Sequence, residues 1–231
     1  MWSFRPRDSV SRGDGEYLLV NWQVKYALAN IAKQSQSTAE HMEGDLIRIV
    51  TPDQPDVLAA ISAAYEISAA AAGSYREKYP GMDFLCGYRT ACIWHGEAVE
   101  YLQGVGVGWG SFGTLTSAAL DGDANTASHK TYKFSDRLLR QYGRVQAVSR
   151  EYDRIHLVTL KSGARLRIGM IADYEPTADA VRNLWDHFGP VDFVWNINPN
   201  GSPSPEAIDA GNELGCEVGK WEELNQRLIS A

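Results

Sequence analysis

Asp153-Arg154-Ile155-His156-Leu157-Val158-Thr159-Leu160, then Lys161-Ser162-Gly163-Ala164, then Arg165-Leu166-Arg167-Ile168-Gly169-Met170-Ile171-Ala172, is the stretch on which the fold turns. Two runs rich in apolar and β-branched residues flank a Ser-Gly turn, the pattern of a β-hairpin. Upstream, Val145–Arg150 reads as a further strand and Phe134–Tyr142 as a helix. Downstream come helix Ala178–Phe188, strand Val191–Ile197, helix Pro205–Leu214, strand Cys216–Val218 and a last helix near Trp221–Leu228. The order is αβββαβαβα, which makes this part an α/β fold.

The segment before it is also read as α/β. Tyr17–Lys33 reads as a helix, or as a strand running into one, and Leu46–Val50 as a short strand ended by Thr51-Pro52-Asp53-Gln54-Pro55. A proline and two capping residues there predict a helix, with Val57, Leu58, Ile61, Tyr65, Ser68, Ala72 and Tyr75 as its apolar side and Tyr79-Pro80-Gly81 as its stop. Phe84–Tyr88 then reads as a strand parallel to Leu46–Val50, closing a strand-helix-strand unit. Glu97–Gln103 and Thr114–Leu120 read as helices around a glycine-rich stretch, and the small polar residues Asp121–Ser128 as a boundary. The predicted division is 1–128, of no assigned role, and 129–231.

A chain of 231 residues with net charge −7 can bury a core without staples. Three cysteines, Cys86, Cys92 and Cys216, with no CxxC spacing give neither a disulfide framework nor a thiolate zinc site. Met1–Ser9 lacks the apolar core of a signal peptide, and the alanine-rich Val57–Ala72 is too short to span a bilayer. A cytoplasmic protein without a membrane partner is expected. The charge is unevenly placed. Residues 130–167 carry ten basic and three acidic side chains between acidic flanks. The ten, Lys130, Lys133, Arg137, Arg140, Arg144, Arg150, Arg154, Lys161, Arg165 and Arg167, are candidates for binding a nucleic-acid backbone, though alternating arginines on strands also suit the solvated face of a sheet. Tyr132, Phe134, Tyr142 and Tyr152 interleave with them, as stacking platforms or as core.

Other motifs are fragmentary. Gly108-Trp109-Gly110-Ser111-Phe112-Gly113 matches GxGxxG formally, and the Gly104–Gly113 loop leaves a nucleotide-sensing domain open as an alternative. The preceding residues read as helical and Asp121 and Asp123 come too soon to hold a ribose, so close approach of two elements is the simpler explanation. His95-Gly96-Glu97 lacks the Pro-Cys-x-x-Cys that would complete a deaminase zinc site. No HExxH and no GxSxG is present.

From Asp153 through the hairpin and Val191-Asp192-Phe193-Val194-Trp195-Asn196-Ile197 to the Ser204-Pro205-Glu206-Ala207 helix start, the chain resembles the restriction-endonuclease-like PD-(D/E)xK superfamily, in its Mrr-type flavour, over about residues 130–228. The resemblance implies an αβββαβαβ core and a metal-dependent phosphodiester-cleaving nuclease in DNA defence or processing. It places Asp153 and Asp173 as metal ligands and Glu175 where the family has lysine, with Mg²⁺ activating water if the site is catalytic. DNA is then favoured over RNA, and a homodimer or partner protein is compatible. Because the lysine is missing, a catalytically degenerate binding or assembly module is the alternative. The hairpin register separates the two. A two-residue turn at Ser162-Gly163 sets Asp153 opposite Ala172 and away from Asp173; a three-residue turn at Ser162–Ala164 sets Asp153 opposite Asp173. The apolar pattern does not choose between them. Nor does it exclude that Asp153 ends a turn while Asp173 and Glu175 cap the next helix.

Overall fold

Backbone pairing in the computed structural model, which describes residues 21–34, 36–89 and 92–231, sorts the strands into two five-stranded sheets and one short pair. The first group of elements is α1 (Trp22–Gln34), β1 (Thr38–Glu43), β2 (Leu46–Val50), β3 (Val57–Ser62), β4 (Glu66–Ile67), α2 (Ala69–Lys78), β5 (Phe84–Gly87), β6 (Ile93–Trp94), α3 (Gly96–Gly104), β7 (Gly108–Gly110) and α4 (Phe112–Asp121). The second is α5 (Lys130–Gln141), β8 (Val145–Tyr152), β9 (Ile155–Leu160), β10 (Arg165–Ile171), α6 (Ala178–Phe188), β11 (Phe193–Asn196), α7 (Pro205–Leu214), β12 (Glu217–Gly219) and α8 (Trp221–Ser230). Met1–Ser9 and the start of the Tyr17–Lys33 segment lie outside the described residues.

The sheets run β1-β2-β3-β5-β7 and β8-β9-β10-β11-β12. In each, three strands form an antiparallel meander and two more add in parallel through helical crossovers. β4 and β6 form the separate parallel pair. Helices cover both faces of each sheet. In the first group Val24 and Ile31 of α1 and Leu115 of α4 fill one side, and Ala72 of α2 with Val99 and Leu102 of α3 the other. In the second, Leu139 of α5 and Leu224 of α8 oppose Val181 of α6 and Ala207 of α7.

From β1 onward the two groups are one unit repeated at an offset of 109 residues, as the pairing of Ala59 with Phe84 recurs as Ile168 with Phe193, while ahead of the register shift between Val145 and Ala147 the buried Ala27 and Ile31 of α1 match Ser135 and Leu139 of α5 at an offset of 108. Leu46 with Ala60 recurs as Ile155 with Gly169, and Phe84 with Gly108 as Phe193 with Glu217. Details follow the same offset. The Asp83 carboxylate accepts from the Leu58 amide at 2.9 Å, and that of Asp192 from the Arg167 amide at 2.7 Å. Ser68 and Thr177 cap α2 and α6, and Gly106 and Gly215 take left-handed φ of 69° and 81° ahead of β7 and β12. Identical residues are sparse: Asp83-Phe84 and Asp192-Phe193, Glu97-Ala98 and Glu206-Ala207, Gly110 and Gly219 are among them.

Three sequence expectations are corrected. Val57–Ser62 is a strand, and the helix starts only after Ser68. An apolar strand buried on both faces is a continuous run, in which spacing cannot tell strand from helix. The parallel neighbour of β5 is therefore β3, not β2. The helix expected ahead of the glycine motif is present as α3, but the stretch read as a glycine loop contains strand β7 at Gly108–Gly110, and Asp121–Ser128 holds a 3-10 turn at Ala124–Thr126.

The repeats meet where β6 and α3 lie against β8. Trp94 O accepts from the Asp153 amide at 2.8 Å, His95 bridges to Tyr152, and a Cβ on Gly96 would come within 1.8 Å of Arg150 O. Gly96 is thus required by close approach of two backbones. Among the described residues, no helix is long and apolar enough to cross a membrane.

Candidate functional site

A cleft of about 720 Å³ opens between the repeats. From the first repeat it receives the carboxyl ends of β5 and β7, at Gly87 and Gly110, where parallel sheets commonly hold ligands. From the second it receives the start of α5, the β8–β9 turn, the end of β10 and one side of α6, among them His129, Tyr132, Asp153, Arg154, Asp173, Asn183 and Phe188.

Asp153 and Arg154 form the two-residue turn between β8 and β9. The Arg154 guanidinium grips its neighbour with two hydrogen bonds, Nε to Oδ1 at 3.1 Å and Nη2 to Oδ2 at 2.7 Å, and Asp153 is only 6% exposed. Burial works against the charge on Arg154, and Asp153 outweighs it. The hairpin closes through Lys161–Gly163, with Leu160 N donating to Ala164 O at 2.8 Å. Neither expected register is adopted. Gly169 opposite Ile155 brings Ile171 opposite Asp153, and Asp173 follows two residues later on the same side. Both aspartates therefore line one cleft, but they are not directly opposed.

Glu175 is not part of that lining and is exposed. Its counterpart Glu66 sits 3.4 Å from His95, and Ala172, Tyr174 and Glu175 repeat Ala63, Tyr65 and Glu66, so this glutamate belongs to what the repeats share. Thr177, rather than Asp173 or Glu175, caps α6. Among the described residues no group of three or more His, Cys, Asp or Glu side chains is placed to hold a metal ion. With both Asp153 oxygens engaged by Arg154, Asp173 is the one carboxylate left to offer among the described residues lining the cleft, and this donor set does not fit Mg²⁺.

The ten basic residues disperse. Arg140 and Arg150 converge on Asp136, which also accepts from His156 Nε2 at 2.8 Å. Arg167 binds Glu151 and the Pro190 and Phe188 carbonyls, and Lys130 binds Asp121. Arg144, Lys161 and Arg165 are exposed at the end of the sheet away from the cleft, roughly 20 Å along β9 at about 3.3 Å per residue. Lys130, Lys133 and Arg137, at i, i+3 and i+7, share one exposed face of α5 with Phe134, over whose ring Arg137 lies at 5.6 Å.

Burial sets the other ionisations. It pushes the Tyr132 hydroxyl up to about 12, with Asp153 and Asp173 adding and Arg154 opposing. It pushes the Cys92 thiol to about 12 and holds His129 below the ordinary histidine value. Fixed charge in the cleft thus comes from Arg89 and Arg154 against Asp153 and Asp173. Arg89 is stacked 3.9 Å from the Tyr65 ring and donates to Ala63 O at 2.6 Å. Two buried nitrogens, Trp109 Nε1 and His129 Nδ1, have no partner among the described residues.

The glycine motif is architectural. A Cβ on Gly108 would meet Ala124 O at 1.9 Å; one on Gly110, at φ 145°, would meet Thr114 at 3.0 Å, as one on Gly219 would meet Glu223 at 2.7 Å. A smaller cavity of about 380 Å³ beside it, lined by Ser111, Thr114, Lys130 and Lys133, shares Ser111 and His129 with the cleft. Trp94, Trp109, His129 and Asn183 were not singled out from sequence, because their partners come from the other repeat or from elements far along the chain. Compared with protein-family models, curated proteins and solved structures, the chain matches none.

Proposed function

We propose that the protein is a nucleic-acid-binding module whose repeats are restriction-endonuclease-like units, the second of them catalytically degenerate. The observation that carries this reading is the Asp153–Arg154 pair. A carboxylate in the position the resemblance gives to a metal ligand is neutralised by a cation from its own turn. Metal-dependent cleavage would need that carboxylate free. Binding does not, and the exposed face of α5 beside the cleft offers to phosphates Lys133 and Arg137, which have no carboxylate partner among the described residues.

The second reading, a nuclease, is favoured by one observation, that Asp153 and Asp173 line the same cleft. Labelled single- and double-stranded DNA, and RNA of the same sequence, separate the two. Binding in EDTA that falls with salt, with a slope of about −1.4 for two phosphate contacts on single strands, and that is weakened by Lys133→Glu with Arg137→Glu, supports the binding module. Cleavage in Mg²⁺ or Mn²⁺ that Asp173→Ala abolishes supports the nuclease.

A further inference from the structure

The two repeats serve as each other's control for what the fold requires. Where they agree, as at Asp83 and Asp192 or Gly110 and Gly219, the residue holds the architecture together. Where they differ at a buried or cleft-lining position, the fold has been built both ways. Asp153, Arg154 and Asp173 stand where the first repeat has Gly44, Asp45 and Ala64, and Tyr132 and Asn183 stand where it has Val24 and Ser74. Burying Asp153 to 6% exposure at a place the fold fills with glycine is therefore a property of the cleft rather than of the repeat.

We infer that the cleft between the repeats is a binding site for a single unstacked nucleoside, base and sugar together, whose phosphate remains outside beside Lys133. The inference rests on the nucleic-acid reading for the source of the nucleoside as part of a strand, but its chemistry is independent of that source. A volume of about 720 Å³ is within the range of small-molecule sites, about 300–1,000 Å³, and gives a nucleoside room. Aromatic side chains line it, Trp109, Tyr132 and Phe188 among them, the last with the Arg154 guanidinium over its ring at 5.7 Å, and a base can stack on such planar groups. Polar groups able to read a base edge are present with unmet capacity: Trp109 Nε1 and His129 Nδ1 lack partners among the described residues, and the lining Asn183 amide offers donor and acceptor.

Charge selects the class of ligand. Two guanidinium groups are balanced by two carboxylates in the cleft, which suits a neutral base and sugar and disfavours a polyphosphate. In the adjoining cavity Lys133 lies beside the Ser111 and Thr114 hydroxyls at the start of α4, with Asp123 also in the lining and Lys130 held by Asp121. His129 belongs to both cavities and joins them. A nucleoside in the larger would hand its phosphate to the smaller.

The test uses the full chain, a fluorescein-labelled twelve-nucleotide single strand, the same backbone made abasic, and free adenosine and cytidine. The base-bearing strand is expected to bind at least about tenfold tighter than the abasic one, as expected when bases stack on aromatic side chains. Free nucleosides should perturb the tryptophan emission and compete with the base-bearing strand. Asn183 is exposed on α6, so Asn183→Ala should fold and should cut the ratio to below about threefold, as loss of a base-edge contact predicts. Equal binding of the two strands with no response to nucleosides overturns the inference and leaves the backbone-binding reading standing. A response to nucleosides without binding of either strand upholds the site and removes the nucleic acid. Silence to every probe overturns both.

Discussion

Arg154 sits at the centre of the account because the Asp153 carboxylate, beneath it, has no other hydrogen-bond partner among the described residues. Arg154→Leu leaves a carboxylate buried without compensation and should cost about 3–5 kcal/mol in urea unfolding. Adding Asp153→Asn should recover most of that loss, since the first repeat folds with Gly44 at the same place. If the double variant is no more stable than the single one, Asp153 is not the reason Arg154 matters. Acid tests a second set of residues. Burial holds His129 and His156 below the ordinary histidine value; for His156 the Asp136 bond opposes this and Arg150 reinforces it. At Asp136 burial favours the neutral acid, but His156, Arg140 and Arg150 outweigh it and hold the carboxyl below its usual range. The unfolded chain therefore takes up protons first, its histidines near pH 6.5 and Asp136 near 3.9, so stability falls as pH drops through those values. A thermal midpoint clearly lower at pH 5.5 than at pH 7.5 is expected, with the difference reduced in His156→Gln. A midpoint that does not change would contradict it.

Elements show where the sequence was legible. The second repeat could be read strand by strand because each of β8, β9 and β10 ends in a polar turn, and α6 and α7 open on the caps Thr177 and Ser204. In the first repeat β3 is apolar on both faces and followed by the alanine-rich α2, so strand and helix merged into one apparent helix. The hairpin register was also beyond the sequence, because a shift of one pair leaves the apolar pattern almost equally satisfied. Packing of whole elements decided it. The same packing makes a prediction at Gly96, whose missing side chain lets α3 touch the β8 backbone. Gly96→Ala should separate the repeats and lower the midpoint, and native-state hydrogen exchange should show loss of protection first at the Asp153 amide, which donates to Trp94 O. Unchanged protection there would show that the contact is dispensable.

At the scale of the whole molecule, the repeat changes what the charge distribution means. The ten basic residues read as one strip in the sequence, yet folding ties Arg140, Arg150, Arg154 and Arg167 into local pairs and sends Arg144, Lys161 and Arg165 to the far end of the sheet. Lys130, Lys133 and Arg137 remain on one face beside the cleft. The duplication itself was hidden because the repeats keep backbone register and a few structural residues while replacing nearly every side chain that faces solvent or the cleft. Half of the candidate site was likewise hidden, since Trp94, Trp109 and Arg89 come from one repeat and Tyr132, Asp153 and Asn183 from the other. The measurement that bears most directly on the central claim is equilibrium binding of a labelled single strand in EDTA and in Mg²⁺, with the integrity of the strand followed on a gel from the same samples. The account predicts equal, salt-sensitive binding in both conditions and an intact strand. Cleavage in Mg²⁺ that disappears in Asp173→Ala would contradict it.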